Sequence, residues 1–335
     1  MGRGLVSVTV DLDPLEAYHA IHGLGPAPAA LRDHLSAVAI PRFLQLFERL
    51  GVKATFFAVG QDLGSDRVAA ALREAVTAGH EVGNHTQSHP YDFLDLSATD
   101  RAAEVDRCHE RIADATGAPP VGFRAPGYFL DGATLALLAG RGYRYDSSMV
   151  GSLPYWAAKV GVMALMRLRG LRSRSRLHPP TSLLAPDRPY CPDPDRPWRP
   201  ARPDPTRPDP TRPDSDRPDP TRPRRPERAP LVELPAASLV AGVPLVGTFL
   251  GGLPITAARL LARWLAGRPF VTVEFHAIDL VDTADGGLDA LRGHQPGLAV
   301  GLVRRLASYE ALLAPLCRSA DAVTLAEAAR GVDVS

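Results

Sequence analysis

Two short segments carry side chains whose type and spacing suit hydrolytic chemistry: TVDLD at 9–13 and NHTQSH at 84–89. In a strand, residues i and i+2 share a face, so Asp11 and Asp13 project together from its carboxyl end. The carboxyl ends of barrel strands are where α/β enzymes build their sites. His85 and His89 are four apart and follow the strand-like Glu81–Gly83, so they reach one centre if the loop takes a turn of helix. Two imidazoles and one carboxylate, with positions left open, form the ligand set of a hydrolytic zinc site. The other carboxylate is then available as a base on an activated water. An Asp-x-Asp is a weak signal alone, and a histidine pair four apart is often a helix surface. Placed after successive parallel strands, the two segments reinforce each other.

The elements that must position these residues alternate along the chain. Strand-like runs fall at Leu5–Val10, Ala54–Val59, Glu81–Gly83, Val121–Phe123, Tyr143–Tyr145, Leu231–Leu234, Phe270–Phe275 and Ala322–Leu325. Helix-like runs fall between them at Ile40–Leu50, Val68–Ala78, Asp100–Thr116, Thr134–Arg141, Thr256–Leu265 and Leu298–Leu313. That order implies βαβ units around a parallel sheet, an α/β fold. Seven or eight such units in roughly 290 ordinary residues predict one (β/α) barrel over an open sheet.

The remaining residues stand apart in composition. Of the 33 prolines in the 335-residue chain, 16 lie between Pro186 and Pro230, around the repeat RPDPT at 202–206, 207–211 and 217–221. Proline every two or three residues removes donors and fixes φ, so this Pro/Arg/Asp-rich tract is expected to be a disordered loop. Before it, Ser147 to Pro186 holds no acid, while Lys159, Arg167, Arg169, Arg172, Arg174 and Arg176 interleave with Tyr155, Trp156, Val160, Leu165 and Leu168. Residues 155–176 therefore suit an amphipathic segment on an anionic membrane surface. A core-facing barrel helix followed by a basic loop is the plainer alternative.

Several classes are disfavoured. A net charge of +1, from 38 basic and 37 acidic side chains, gives no bulk electrostatic support for nucleic-acid binding. Cys108, Cys191 and Cys317 are too scattered for a disulfide framework or a thiolate metal site. No apolar run approaches the ~18 residues of a spanning helix, and Leu5–Val10 leads straight into Asp11 without a signal region. The expectation is a cytoplasmic protein, peripheral at the inner membrane face if 155–176 docks there.

Five motifs taken together resemble the polysaccharide deacetylase superfamily, the NodB-homology domain of carbohydrate esterase family 4. TVDLD corresponds to the family's first motif, usually TFDD, and HTQSH to its H-[ST]-x-x-[HD] metal motif. FRAPGY at 123–128 matches R-x-P, YDSS at 145–148 supplies the aspartate of the fourth motif, and EFHAIDLVD at 274–282 the late histidine. The phrases KATFF at 53–57 and EVGNHTQSHP at 81–90 are also family-like. The motifs run from Thr9 to His276, nearly all of the chain outside the Pro-rich tract.

The resemblance implies a distorted (β/α) barrel and a role for each matched residue. Asp11 would be the general base, and Asp13, His85 and His89 the ligands of a divalent metal, zinc by default with nickel, cobalt or iron also fitting. Arg124 would pair with Asp11 and hold it ionised. His276 would protonate the leaving amine, Asp146 would hydrogen-bond His276 and fix its tautomer, and the Gly127 N–H would help hold the oxyanion. The substrate implied is an N-acylated amino sugar or glycan, and with the basic stretch a lipid-linked or nucleotide-activated one. Since His276 must meet Asp146 and the metal centre, 186–230 is expected to interrupt one domain, 1–335, without dividing it.

Two departures qualify the match. Leu12 separates aspartates that are usually adjacent, and Gly127 stands where an aromatic often follows the proline, which points away from a long, tightly stacked glycan. An allantoinase-like hydrolase of cyclic amides, or a non-catalytic membrane-surface binder on the same fold, are the rival expectations. Asp146 next to two serines also suits an N-cap or turn. His19 and His22 are expected to pack a loop, with lining of the pocket mouth as the alternative, and His109, His178 and His294 to lie at the surface.

Overall fold

The computed structural model describes residues 3–168, 170, 173–174, 176–177, 179–201 and 231–331. The RPDPT repeats, Arg169, Arg172 and His178 lie outside the described residues. Strand β1 (Leu5–Asp11) is central, and both of its alternating side-chain sets, one apolar and one polar, are covered. Around it the chain adds β2 (Ala54–Ala58), β3 (Glu81–Asn84), β4 (Gly122–Phe123), β5 (Tyr145–Asp146) and β6 (Val232–Glu233) in spatial order, all parallel. On its other flank β1 pairs along its whole length with the strand Phe270–His276, and its first residues pair with Asp321–Ala322. A two-stranded hairpin, β7 (Leu239–Val240) and β8 (Val243–Pro244), precedes them, so the long strand is β9 and the last one β10.

The gap between β6 and β9 is bridged by irregular backbone rather than by a regular strand. Ser238 N–H donates to the Thr272 carbonyl at 2.9 Å, and Glu274 N–H to the Leu245 carbonyl at 3.0 Å. The eight-stranded sheet thus curls into a distorted (β/α) barrel, the fold class expected from the sequence. Its helices are α1 (Leu15–His22), α2 (His34–Leu50), α3 (Asp66–Thr77), α4 (Ala98–Thr116), α5 (Gly132–Gly140), α6 (Leu153–Leu168), α7 (Gly247–Leu250), α8 (Ile255–Leu265), α9 (Leu302–Ser319) and α10 (Leu325–Arg330). Among the described residues no helix is long and apolar enough to cross a membrane.

Alternation along the central strands sorts their side chains. Val6, Val8 and Val10 of β1 and Val271, Val273 and Phe275 of β9 join the main core, which lies between sheet and helices. Ser7, Thr9, Asp11, Thr272 and Glu274, the alternate residues, face the barrel interior and are fully or almost fully buried. Polar groups in such a place must find partners or cost free energy, so the interior layer is committed to a network. Packing there is close: a Cβ on Gly122 would fall within 2 Å of the Tyr145 ring.

Several local expectations differ from the structure. The run at Ala322–Leu325 is strand only to Ala322; Thr324 then caps α10, with Glu327 returning a hydrogen bond in a capping box. Leu325 and Ala328 of that helix pack with Phe270 and Tyr145 at the base of the barrel. The Pro-rich tract is not solvated throughout, since Tyr190 forms a bridge with Glu233 and is buried, its hydroxyl donating to the Pro197 carbonyl at 2.7 Å. His19 and His22 lie on α1, and buried His19 packs the following loop as expected, its Nδ1 2.8 Å from the Gly25 carbonyl. His109 is half-buried, its Nδ1 3.1 Å from the Tyr143 hydroxyl. Helix α6 forms where the amphipathic segment begins, but buries only Met166.

Candidate active site

At the carboxyl end of the sheet, register places Asp11 of β1 directly opposite His276 of β9. Leu12 N–H donates to the Phe57 carbonyl at 3.0 Å, continuing the β1–β2 edge so that Asp13 follows Asp11 into the same mouth. His85 follows β3 and His89 the loop after it. Asp13 Oδ1 lies 3.3 Å from His85 Nε2 and 3.2 Å from His89 Nε2, and all three side chains are buried. The three ligand-type atoms sit within 4.8 Å of one another.

The loop carrying the histidines is not the helical turn expected. Thr86 has φ 68° and His89 φ 56°, left-handed conformations that cost a non-glycine residue about 1–3 kcal/mol. Local side chains hold them: Asn84 Oδ1 accepts from Thr86 N–H at 2.8 Å, and Thr86 Oγ1 from His89 N–H at 3.1 Å. Two such residues redirect the chain more sharply than a helix would. The second imidazole reaches Asp13 as a result.

The donor set fits a divalent cation. The Arg124 carbonyl, 2.7 Å from His85 Nδ1, accepts a hydrogen bond from that nitrogen's N–H, which in the neutral ring leaves Nε2 as an acceptor aimed at Asp13. A carboxylate and imidazole acceptors converging in a buried space repel unless a proton or a cation lies between them. Burial would raise the Asp13 carboxyl, but His89 and His85 hold it well below the usual carboxylate range. Burial works against the His85 imidazolium, and Asp11 and Asp13 more than offset it, so its pKa is raised. Asp13, His85 and His89 are thus the residues that could hold a metal.

Arg124 organises the second half of the site. Its guanidinium is completely buried, 2.6 Å from Asp11 Oδ1, 3.1 Å from Thr9 Oγ1 and 3.4 Å from Glu274 Oε1 through Nη1. It also donates to the Ser147 carbonyl and hydroxyl, each at 2.8 Å, and lies 4.3 Å from the Phe57 ring centroid. Asp11, Glu274 and His276 also lie close enough together to suggest a second cation site. There the guanidinium already supplies the positive charge.

Asp146 differs from expectation. Among the described residues no hydrogen bond joins it to His276; Ser148 donates to it through N–H at 3.0 Å and Oγ at 2.9 Å. Its carboxyl is also hydrogen-bonded to buried Glu233, and burial raises both, Glu233 well above its usual range, so the pair shares a proton. The turn that Asp146 caps supports Arg124 through Ser147. Gly127 sits in the turn Pro126–Tyr128 with φ 64°, where a Cβ would meet the Phe129 ring at 2.8 Å. No aromatic fits at that position, and Tyr128 takes its place.

Tyr128 and Glu274 were not anticipated. The Tyr128 hydroxyl donates to Glu274 Oε1 at 2.5 Å and lies 3.2 Å from His276 Nε2. Glu274 could have been found, since it stands two residues before His276 in a strand and so shares its face. Burial pushes Glu274 up to about 7, against the pull of Arg124. Burial would depress His276, yet Asp13, Glu274, Asp11 and Asp279 outweigh it and raise it to about 9. The imidazolium form of His276 therefore predominates at neutral pH and is lost as pH rises through about 9. Around the mouth stand Tyr91, 5.2 Å from the His89 ring, and Tyr155, 6.5 Å from Tyr128. Lys159 lies over Phe129 at 5.4 Å, lowered to about 8 by burial.

The sequence model of the polysaccharide deacetylase family matches residues 32–145. Residues 32–145 are thus similar to a polysaccharide deacetylase domain. The matched segment holds His85, His89, Arg124 and Gly127, while Asp11, Asp13, Asp146 and His276 fall outside it. A peptidoglycan deacetylase of Helicobacter pylori is 31% identical over 156 residues, 45% of this chain and 52% of that protein. A chitin deacetylase of Pestalotiopsis sp is 32% identical over 114 residues, 33% of this chain and 38% of its own length. The chain thus spans about half the length, or less, of these curated relatives. A Mycobacterium smegmatis structure described as a polysaccharide deacetylase has a TM-score of 0.54 at 18% identity. It covers 99% of this chain and 91% of that one, and shows the same fold.

Proposed function

We propose that the protein is a metal-dependent hydrolase that removes an N-acyl group, acetyl in the first instance, from an amino sugar. The observation that carries this reading is the register of β1 and β9. It sets a carboxylate tied to a buried guanidinium opposite a raised-pKa imidazole, beside the Asp13, His85 and His89 cluster. When bound, a divalent cation at that cluster polarises the amide carbonyl and acidifies water, and the donor atoms suit zinc, nickel, cobalt or iron. Asp11, oriented by Arg124, accepts the water proton. The Gly127 N–H donates to the developing oxyanion, and His276 delivers a proton to the departing nitrogen. The deacetylase names of the Helicobacter pylori and Pestalotiopsis relatives support a glycan amide as the target.

The test is a screen of N-acylated sugars, as oligosaccharide, nucleotide-activated and lipid-linked donors, with zinc-reconstituted full chain and amine release as readout. Release that is abolished by chelation and restored by metal is the expected result. Turnover of cyclic ureides alone would move the protein to an allantoinase-like activity. No release and no bound metal would leave only a binding role.

We also propose that α6 brings the site to an anionic membrane surface and that the substrate is lipid-linked. Leu168 is 86% exposed, Leu153 61%, Val162 54% and Leu165 47%, on a helix with no acidic residue. Arg167 on the helix and Arg174 beyond it are also exposed. Tyr155 and Lys159 of this helix reach the site mouth, so docking would hold the mouth near the lipid. The chain is expected to float with vesicles rich in phosphatidylglycerol and to stay behind with neutral phosphatidylcholine vesicles. Equal behaviour with both removes the surface from the reading.

A further inference from the structure

An imidazole that must present a proton needs a fixed ring, and the carboxylate expected to fix this one is engaged elsewhere. Asp146 is held by Ser148 and Glu233. Four other carboxyl groups act on His276: Asp11 at the end of β1, Asp13 just after it, Glu274 on its own strand, and Asp279 in the turn 277–280. Asp13 is committed to His85 and His89, and Asp11 to Arg124 at 2.6 Å. Asp279 Oδ2 accepts the backbone N–H of His276 at 2.8 Å in a capping box whose return contact to the His276 side chain comes from the Asp279 backbone N–H, so its carboxylate does not hold the ring. Glu274 remains. Its Oε1 lies 4.0 Å from His276 Nε2, with the Tyr128 hydroxyl between them at 2.5 Å and 3.2 Å. Its Oε2 is buried and has no hydrogen-bond partner among the described residues.

A phenol has one proton to give and can accept another. With Tyr128 donating to the carboxylate, its oxygen accepts from Nε2–H of the imidazole. The bridge therefore sets both the ring orientation and the nitrogen that carries the proton. We propose that Glu274, acting through the Tyr128 hydroxyl, is the positioning residue for His276, in the place expected for Asp146. The proposal rests on the reading of His276 as the proton donor. Positive-φ backbone at Gly127 and Tyr128, 64° and 65°, is what turns the phenol into the gap.

The test follows the His276 ring by proton–nitrogen NMR across pH in the full chain, independently of any substrate. Glu274→Gln is expected to lower the His276 pKa by about 1–3 units, the usual effect of removing a nearby opposite charge. Asp146→Asn is expected to leave it in place. The alkaline limb of kcat should move down with the ring titration in Glu274→Gln. Because Arg124 also faces Glu274, that variant can fail to fold; Tyr128→Phe then carries the test with the charge retained. Its expected signature is a lowered His276 pKa and kcat down about tenfold at unchanged KM, part of what a positioned acid supplies. An unmoved titration in Glu274→Gln or in Tyr128→Phe, or an equal shift in Asp146→Asn, overturns the proposal. Absence of deacetylation with the titration shifts intact would fault the function and spare the bridge.

Discussion

Asp11→Asn is expected to lower amine release by about 10²–10⁴-fold, the usual worth of a positioned general base, with bound metal unchanged. Asn keeps the shape and can still accept from Arg124, but it cannot take a proton from water. Metal retention follows from geometry, since the cluster uses Asp13, His85 and His89, and Asp11 Oδ2 stands off from His85 Nε2 at 3.9 Å. Metal content by mass spectrometry and turnover on the best screened substrate check both halves. Turnover within a few-fold of wild type would remove Asp11 from the base role.

Arg124→Met should cost about 3–5 kcal/mol of stability, the range for deleting one partner of a buried ion pair. The loss strands two buried carboxylates, Asp11 and Glu274, along with the Ser147 groups and Thr9 that the guanidinium satisfies. Urea unfolding measures it, and a change below about 1 kcal/mol, typical of an exposed pair, would contradict the network. Arg124→Lys should recover little. An ammonium has three donors on one point and cannot reach Asp11, Ser147 and Thr9 in the flat fork that Arg124 uses.

Much of the fold was legible because the central strands announce themselves: LVSVTVD and FVTVEFH are short, β-branched and bounded by turns. Less legible was what closes the barrel. The segment from Ser238 to Leu245 pairs with β9 by scattered hydrogen bonds, which leave no periodic trace. The final helix was hidden by its own start, since VTL reads as strand until the Thr324–Glu327 box is weighed. Proline density hid the bridge at Tyr190, a local contact made by a buried aromatic in otherwise polar sequence.

At the site, the metal-type cluster and Arg124 were visible as motifs, whereas the partner of His276 was not. Asp146 stands on β5 and Glu274 on β9, and only register and strand curvature decide which carboxylate reaches the ring. The sequence also withholds that Asp146 has its own buried carboxyl neighbour, Glu233, across the β5–β6 ladder.

The pairing of β1 with β9 carries a consequence for synthesis. Strand β1 finds its full-length neighbour only when residues 270–276 emerge, after β2 to β8 have been made. Until then LVSVTVD has one unpaired apolar edge, the kind that templates association between chains. Contacts so distant in sequence also make folding slow. A fragment cut to the family-matched limits 32–145 would keep both histidines and lose the strands that bring Asp11 and His276 face to face. The nascent protein thus carries its metal-type loop long before it has an acid to work with. Its vulnerable interval is set by the order in which the ribosome delivers β1 and β9.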